Sequence, residues 1–456
     1  MEKKGALLFI FGATGDLATR KILPALQQWD GEDLPFARIW CIGRRSLDTR
    51  GYCRLVEKKG GYHLSEPLRT RIGYHRLEFD DPWAYADLRD RCDTEPAVDG
   101  RRLFFLAVKP EAFVTIATRL HQAGLFVSGD SNHRLLFEKP FGESRTSAEE
   151  IQARLMTLAD EEQVYRIDHY LGKEMIRNVL AIRFANRIFS ESWNGRAIET
   201  VEISSIETAG AEERFEYYDR AGAINDMVQS HLLQMLALVA MAAPDNFEAE
   251  PVRRRKIDIL HHVGLAPDRP PVLGQYRGYG PEGFASTTET YVEAALRVDT
   301  GQWPDTVFVL RTGKKMGEKR TEIRLRYRPN SMCLNCSEVV TAEANELVIE
   351  VYPREGVLFR FNSKVPGYGY ALEPVLARYC HSCRVEGDMP EAYVKLLKDA
   401  LAGDKTLFAG FAELLVQWRI ADRIRGAARI RGAARGQSPV IYEPGAMTVS
   451  GEGGAG

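Results

Sequence analysis

The segment Ala6-Leu7-Leu8-Phe9-Ile10-Phe11 is continuously apolar, stops at Gly12, and gives way to apolar residues at helical spacing. A short apolar run bounded by a breaker predicts a buried strand, so the chain opens as strand, glycine turn, helix. The turn reads Gly12-Ala13-Thr14-Gly15-Asp16-Leu17-Ala18. Gly12 can make the tight bend, and Gly15 lets phosphate oxygens approach backbone N–H groups at a helix start. This is a G-x-x-G variant of the dinucleotide fingerprint, with Gly12, Thr14, Gly15, Asp16 and Leu17 as candidate cofactor contacts. An ordinary strand-to-helix turn shares the same local pattern.

The nucleotide reading extends further along the chain. A second apolar strand, Ala37 to Ile42, ends at Gly43-Arg44-Arg45-Ser46. In a nucleotide fold this strand end meets the adenosine ribose, where a carboxylate holds the 2′-hydroxyl of NAD and an arginine accommodates the 2′-phosphate of NADP. Two arginines stand there and no carboxylate precedes Asp48. Arg45, assisted by Arg44 or Ser46, is the candidate discriminator, because a guanidinium pairs bidentately with phosphate; a solvated basic loop is the plain alternative. Further strands are predicted over Leu103–Val108 and Leu135–Phe137, the latter running into Glu138-Lys139-Pro140-Phe141-Gly142. Strands alternating with helical stretches predict a parallel, doubly wound sheet whose ligands gather beyond the carboxyl ends of its strands, where Lys139 stands. The Lys139–Pro140 bond can sit cis at modest cost.

At 456 residues, 45% hydrophobic and 27% charged, with a formal net charge of -2, the chain can bury two or three domain cores and carries no bulk attraction for polyanions. Nucleic acid is not an expected partner. No apolar run reaches the roughly 18 residues of a membrane span, and the N-terminus does not read as a signal peptide, so a cytoplasmic address is expected.

The stretch Tyr165-Arg166-Ile167-Asp168-His169-Tyr170-Leu171-Gly172-Lys173-Glu174 is the most informative. If it is helical after Asp168, His169 and Lys173 stand four apart on one face beside Tyr170, a cluster of donors suited to a phosphate dianion. A solvated helix face fits less well, because such faces seldom carry two tyrosines and an Ile-Asp-His sequence.

With these residues in view, the chain resembles the glucose-6-phosphate dehydrogenase family. The resemblance rests on the glycine turn, on Glu138 to Gly142, and above all on Arg166 to Glu174. Tyr217-Tyr218-Asp219, Asp226 to Gln234, Thr288 to Tyr291 and Arg311 to Lys314 extend it. It implies oxidation of D-glucose 6-phosphate at C1 to the 6-phosphoglucono-lactone with hydride transfer to NADP, the first oxidative step of the pentose phosphate pathway. Losing hydride from carbon and a proton from oxygen calls for a neutral base, and histidine suits that task. The resemblance implies that His231 takes the C1 proton while Asp168 orients the imidazole. Taken alone, a histidine such as His231 is more often a satisfied core residue, and Asp168 reads as a helix cap. It further implies that His169, Tyr170 and Lys173 grip the phosphate, that Lys314 and Lys319 complete the pocket, and that Lys139, Glu207 and Asp226 contact the glucose hydroxyls. Lys319 could also lie on a solvated hairpin tip.

Beyond about residue 195 the pattern turns to long strands. In Glu322-Ile323-Arg324-Leu325-Arg326-Tyr327 apolar and basic residues alternate, the period of a sheet with one buried face. The fold expected is therefore an α/β Rossmann-type doubly wound domain (1–168), then a larger α+β domain on a mostly antiparallel sheet (169–436), then a disordered Gly-rich tail (437–456). The resemblance implies a homodimer or a dimer of dimers through the large sheet. Cys333-Leu334-Asn335-Cys336 and Cys380-His381-Ser382-Cys383 form two C-x-x-C hooks, a candidate for one structural zinc, with unpaired thiols or disulfides as the alternatives. Another sugar oxidoreductase, or a non-catalytic NADP-binding sensor, are the rival readings.

Overall fold

A computed structural model describes residues 5–29, 34–95, 98–329, 343–367, 371–381, 383, 392–435 and 439–449. The chain divides into two compact units, the first made of residues up to Gly172 with 247–253 and 392–411, the second of 173–246, 254–389 and 412 onward.

The first unit is built on six parallel strands: β1 (Gly5–Phe11), β2 (Phe36–Gly43), β3 (Ile72–Arg76), β4 (Val98–Leu106), β5 (His133–Phe137) and β6 (Val164–Arg166). Their order is β3-β2-β1-β4-β5-β6, the doubly wound arrangement in which the strand order reverses beside β1 and leaves a crevice at its carboxyl end. β1 is buried along its whole length because it lies between β2 and β4 and is covered on both faces. One covering element comes from far along the sequence. The helix Ala392–Ala402 packs Tyr393, Val394, Leu396 and Leu397 into the apolar cluster that also holds Leu8, Ile10 and Phe105. Arg134 on β5 donates to the carbonyls of Ala400 and, at 2.7 Å, Leu401, closing the end of that helix.

The second unit holds a ten-stranded mixed sheet of β7 (Ile198–Ile206), β8 (Val263–Leu265), β9 (Val272–Tyr276), β10 (Tyr291–Val298), β11 (Val307–Gly313), β12 (Arg320–Tyr327), β13 (Glu346–Tyr352), β14 (Gly356–Lys364), β15 (Leu372–Cys380) and β16 (Val440–Tyr442). The order is β15-β14-β13-β12-β7-β11-β10-β9-β16, with β8 on β10. Among the described residues of this sheet, only β7/β11 and β9/β16 pair parallel. The predicted alternation in β12 is present: Ile323 and Leu325 are fully buried, while Arg324 bonds Glu322 and Glu346 on the other face. Behind the sheet, the buried Arg183 guanidinium donates to Leu238 and Met241 carbonyls at 2.5 and 2.6 Å. It thereby fastens the helix Leu233–Ala240 at its carboxyl end.

Two sequence expectations need correction. The first unit does not end at residue 168; it keeps 169–172 and takes back 392–411, because Gly172 abuts the returning chain so closely that a Cβ would lie 2.7 Å from the Ala392 carbonyl oxygen. Nor is 437–456 a uniformly disordered tail: β16 pairs with β9, and the Tyr442 ring is buried against Tyr276 and Tyr291. Burying an aromatic ring offsets the entropy of ordering a short segment.

Candidate active site

In the first unit the glycine turn closes on β4. Gly12 has φ +77°, and a Cβ there would meet the Ala107 carbonyl oxygen at 2.3 Å, so only glycine fits. A Cβ on Gly15 would meet only the Gly12 carbonyl, at 3.1 Å. The chain can thus be approached closely at the start of the following helical segment, which fits a pyrophosphate. Two side chains that sequence reasoning missed fix the turn: Tyr52 donates to the Ala13 carbonyl at 3.0 Å, and Lys59 donates to the Thr14 carbonyl at 3.0 Å while pairing with Asp16 at 2.9 Å. The Lys59 bond holds the Asp16 carboxyl below its usual range. Tyr52 and Lys59 are seven apart on the helix Thr49–Gly60 and therefore share a face, a spacing visible in the sequence once that helix is known. At the end of β2, Arg44, Arg45 and Ser46 are exposed. Asp48 is spent as a helix cap, accepting the Gly51 N–H at 2.7 Å. Among the described residues, the side chains that the end of β2 offers first are Arg44, Arg45 and Ser46, an arrangement that fits NADP.

The same unit carries the ends of β5 and β6. The Lys139–Pro140 peptide is cis. Residues 169–172 form turns and the helix begins only at Glu174, so His169 and Lys173 do not lie on one helix face as the spacing predicted. The cause is local. The Asp168 carboxylate accepts the Tyr170 N–H at 2.9 Å and its carbonyl accepts the Leu171 N–H at 3.0 Å, bonds that compete with helix formation. The His169 ring lies edge-on to Tyr170, centroids 4.9 Å apart, and parallel to Tyr393 at 6.4 Å. Arg166, buried behind this turn, pairs with Glu161 at 2.7 Å and covers the Phe141 ring.

Glu138 is buried beside Lys139, and burial pushes its carboxyl up to about 7, against the opposing pull of the Tyr393 hydroxyl and Lys139. A raised carboxyl holds its proton more tightly folded than unfolded, so this stabilisation is complete below the ordinary value of 4.5 and is lost as pH rises through about 7. Glu138→Gln is therefore expected to match the wild type in thermal unfolding near pH 4.5. At pH 8 it should be more stable, by up to about 3 kcal/mol. A variant no more stable than wild type at pH 8 would show that the surroundings favour the carboxylate.

In the second unit, Ile224–Leu232 winds as a π-helix and carries Asp226, Ser230 and the fully buried His231. Such wide turns are uncommon and cluster at functional sites. Its start is set by Gly222, at φ +65°, where a Cβ would lie 2.5 Å from the Glu289 carboxylate; that carboxylate accepts the Ile224 N–H at 3.1 Å. A cavity of about 400 Å³ opens beside it, lined by Asp226, Tyr217, Tyr218, Arg214, Lys314 and Lys315 among others. Lys314 Nζ lies 2.6 Å from Glu207 and over the Tyr218 ring. Three of the predicted substrate residues, Glu207, Asp226 and Lys314, are thus gathered in and around one cavity. Lys173 immediately precedes the helix Glu174–Ala185, and its carbonyl accepts the Ile176 and Arg177 N–H groups.

Two candidates are placed elsewhere. Lys319 is exposed, with its ammonium 4.6 Å over the Tyr352 ring and outside the lining of this cavity. Cys380 and Cys383 are joined to each other in a disulfide, so as placed they offer no pair of thiolates to zinc. Cys333 and Cys336 lie outside the described residues.

A doubly wound sheet with an open glycine turn, and in the second unit a mixed sheet that gathers a lysine and carboxylates at a cavity, make up a Rossmann-type dinucleotide-binding protein. The sequence matches the glucose-6-phosphate dehydrogenase NAD binding domain over residues 9–178 and the glucose-6-phosphate dehydrogenase C-terminal domain over residues 180–450. The chain belongs to the glucose-6-phosphate dehydrogenase family. It is 37% identical over 447 residues to glucose-6-phosphate 1-dehydrogenase 2 of Mycobacterium tuberculosis, covering 91% of this chain and 87% of that one. It is 34% identical to glucose-6-phosphate 1-dehydrogenase of Bacillus subtilis, covering 93% and 91%. Among solved structures, a glucose-6-phosphate dehydrogenase in complex with its substrate glucose 6-phosphate superposes with TM-score 0.87 at 29% identity, covering 98% of this chain and 96% of that one. The enzyme from Mycobacterium avium superposes with TM-score 0.82 at 29% identity, covering 97% and 95%.

Proposed function

We propose that this enzyme oxidises C1 of D-glucose 6-phosphate to 6-phospho-D-glucono-1,5-lactone with NADP+ as hydride acceptor, the first oxidative step of the pentose phosphate pathway. The observation that carries this reading is the grouping of Lys314, Glu207 and Asp226 at the cavity beside the π-helix that bears His231. Carboxylates accept hydrogen bonds from sugar hydroxyls, and a lysine among them holds an anionic or hydroxyl oxygen without giving up its charge. In this reading His231 removes the C1 hydroxyl proton. Asp168 fixes the imidazole tautomer and stabilises its charged form. His169, Tyr170 and Lys173 hold the phosphate, with Lys139 joining Glu207 and Asp226 at the hydroxyls. Bound NADP+ supplies the site that accepts the hydride. Gly12, Thr14, Gly15, Asp16 and Leu17 cradle its pyrophosphate, while Arg45, with Arg44 and Ser46, meets its 2′-phosphate.

Assembly as a homodimer or dimer of dimers belongs to the same proposal, supported by apolar side chains exposed on the outer strands, among them Leu376, Tyr379 and Phe361. Cytoplasmic placement belongs there too; among the described residues no helix is long and apolar enough to cross a membrane.

The test is reduction of NADP+ and of NAD+ by glucose 6-phosphate, in the wild type and in Arg45→Ala. Turnover with NADP+ is expected in the wild type. The variant should lose roughly ten- to a hundredfold in kcat/KM for NADP+, the worth of one charge-assisted phosphate contact, and much less for NAD+. No turnover of glucose 6-phosphate with either nucleotide would sink the activity, and equal losses for both would remove Arg45 from the discriminating role.

A further inference from the structure

We infer that the C-terminal strand β16 and the turn after it form a positioning element for the substrate lysine Lys314, with the Tyr442 hydroxyl as its central bond; this rests on the reading of Lys314 as a substrate-binding residue. Lys314 opens the short connection between β11 and β12. Its neighbour Lys315 has φ +52°, a conformation that residues with side chains seldom adopt and that persists only where the surroundings impose it.

Those surroundings are specific. The Lys314 N–H donates to the Thr290 carbonyl at 2.9 Å, Lys315 N–H to Ala209 at 3.1 Å, Met316 N–H to Glu207 at 2.9 Å, and Gly317 N–H to Ala446 at 3.0 Å. The Lys314 carbonyl accepts the Tyr442 hydroxyl at 2.6 Å, and the Lys315 carbonyl accepts the Gly445 N–H at 2.7 Å. Half of these bonds come from residues 442–446, on a segment whose composition alone reads as disordered. Another of them reaches Glu207, whose side chain meets the Lys314 ammonium at 2.6 Å. The backbone and the head group of Lys314 are therefore referred to the same frame.

The hydroxyl of Tyr442 ends a chain of bonds whose directions follow from counting protons. Thr290 Oγ1 accepts the Tyr276 N–H at 3.0 Å, so its own proton is available to the Tyr442 oxygen, also at 3.0 Å. The single phenol proton then goes to the Lys314 carbonyl. Thr290 is wholly buried and Tyr442 nearly so, and burial raises the Tyr442 phenol, keeping that proton in place. Without the hydroxyl, the Lys314 carbonyl loses its donor from the tail and the loop relaxes around it. A shift of the order of 1 Å in a substrate-positioning group is enough to weaken a bound geometry severely. Tyr442 thus acts through Lys314 and is a positioning residue.

Tyr442→Phe keeps the ring, its edge contacts with Tyr276 and Tyr291, and therefore the packing of β16. Kinetic constants for glucose 6-phosphate and NADP+ are measured in the wild type, Tyr442→Phe, Lys314→Ala and the double variant. Tyr442→Phe is expected to raise the KM for glucose 6-phosphate roughly three- to tenfold, the worth of one buried hydrogen bond, with the KM for NADP+ unchanged. In the Lys314→Ala background it should add nothing, because the lysine through which it acts is gone. Gly445→Ala gives a second route should the first variant fold poorly. It strains a turn residue at φ +89° where a Cβ meets no neighbour, and should give the same split at roughly two- to fivefold. An unchanged KM for glucose 6-phosphate in both tail variants, the same rise with and without Lys314, or a parallel rise for both substrates overturns the inference. If Lys314→Ala has no effect, the substrate-lysine reading fails and the inference with it. If Lys314→Ala raises the KM strongly while the tail variants do not, the inference alone fails.

Discussion

His231→Asn is expected to lower kcat by two to four orders of magnitude while the KM for glucose 6-phosphate stays within about threefold of the wild type. The oxidation separates one C–H bond and one O–H bond, and hydride leaves readily only as the oxygen gives up its proton. A neutral imidazole near pH 7 can take that proton; an asparagine amide can hold the hydroxyl in a similar place but cannot accept it. His231 has no solvent exposure and stands on a π-helical stretch with defined bonds at its start, so the ring is held where it is rather than swinging in solvent. Its contribution is then mainly to the barrier, which is why kcat and kcat/KM should fall together. The acid limb of the wild-type pH profile of kcat/KM, reporting protonation of the base, should vanish in the variant. Retention of more than a tenth of the activity would remove His231 from the role of base and return it to the plain reading of a packed core histidine.

The features legible in the sequence are those whose requirement is local. Gly12 is such a case: a positive φ pressed against the next strand's carbonyl can be met only by glycine, and the residue type declares the turn. The end of β2 is another, since two arginines with no carboxylate before Asp48 are read from neighbouring positions, whereas the capping role of Asp48 came only with the structure. What failed was decided by distant chain or by a local side-chain bond that competes with the helix. Spacing made 169–173 look helical, but the Asp168 carboxylate bonds the backbone two residues on, and Gly172 is pinned by Ala392, more than two hundred residues away. The same distance hid the return of Ala392–Ala402 to the first sheet: its apolar face says that it is buried, not against what. β16 was missed because glycine and small residues dominate its surroundings, while its order comes from one ring entering a cluster of tyrosines. Lys319 and Lys314 are both lysines near one hairpin, and nothing local tells which meets a carboxylate and which a tyrosine face.

Glucose lacking the phosphate is expected to react with kcat/KM at least about a thousandfold below that of glucose 6-phosphate. Three donors, His169, Tyr170 and Lys173, are proposed to hold the dianion. Charge-assisted hydrogen bonds contribute about 1.5 to 3 kcal/mol each, so even the low end of that range summed over three gives roughly three orders of magnitude. How the loss divides is the informative part. If the phosphate only tethered the sugar, saturating glucose would recover the full kcat. Its distance from C1 permits more: anchoring the remote end can hold the anomeric hydroxyl against the base and the C–H bond toward the nicotinamide, so that binding energy lowers the barrier itself. Part of the loss should therefore persist at saturation, with kcat for glucose reduced at least tenfold. An equal kcat for the two sugars, differing only in KM, would reduce the phosphate site to a tether; equal kcat/KM would mean that the turn carrying His169 and Tyr170 does not read the phosphate at all.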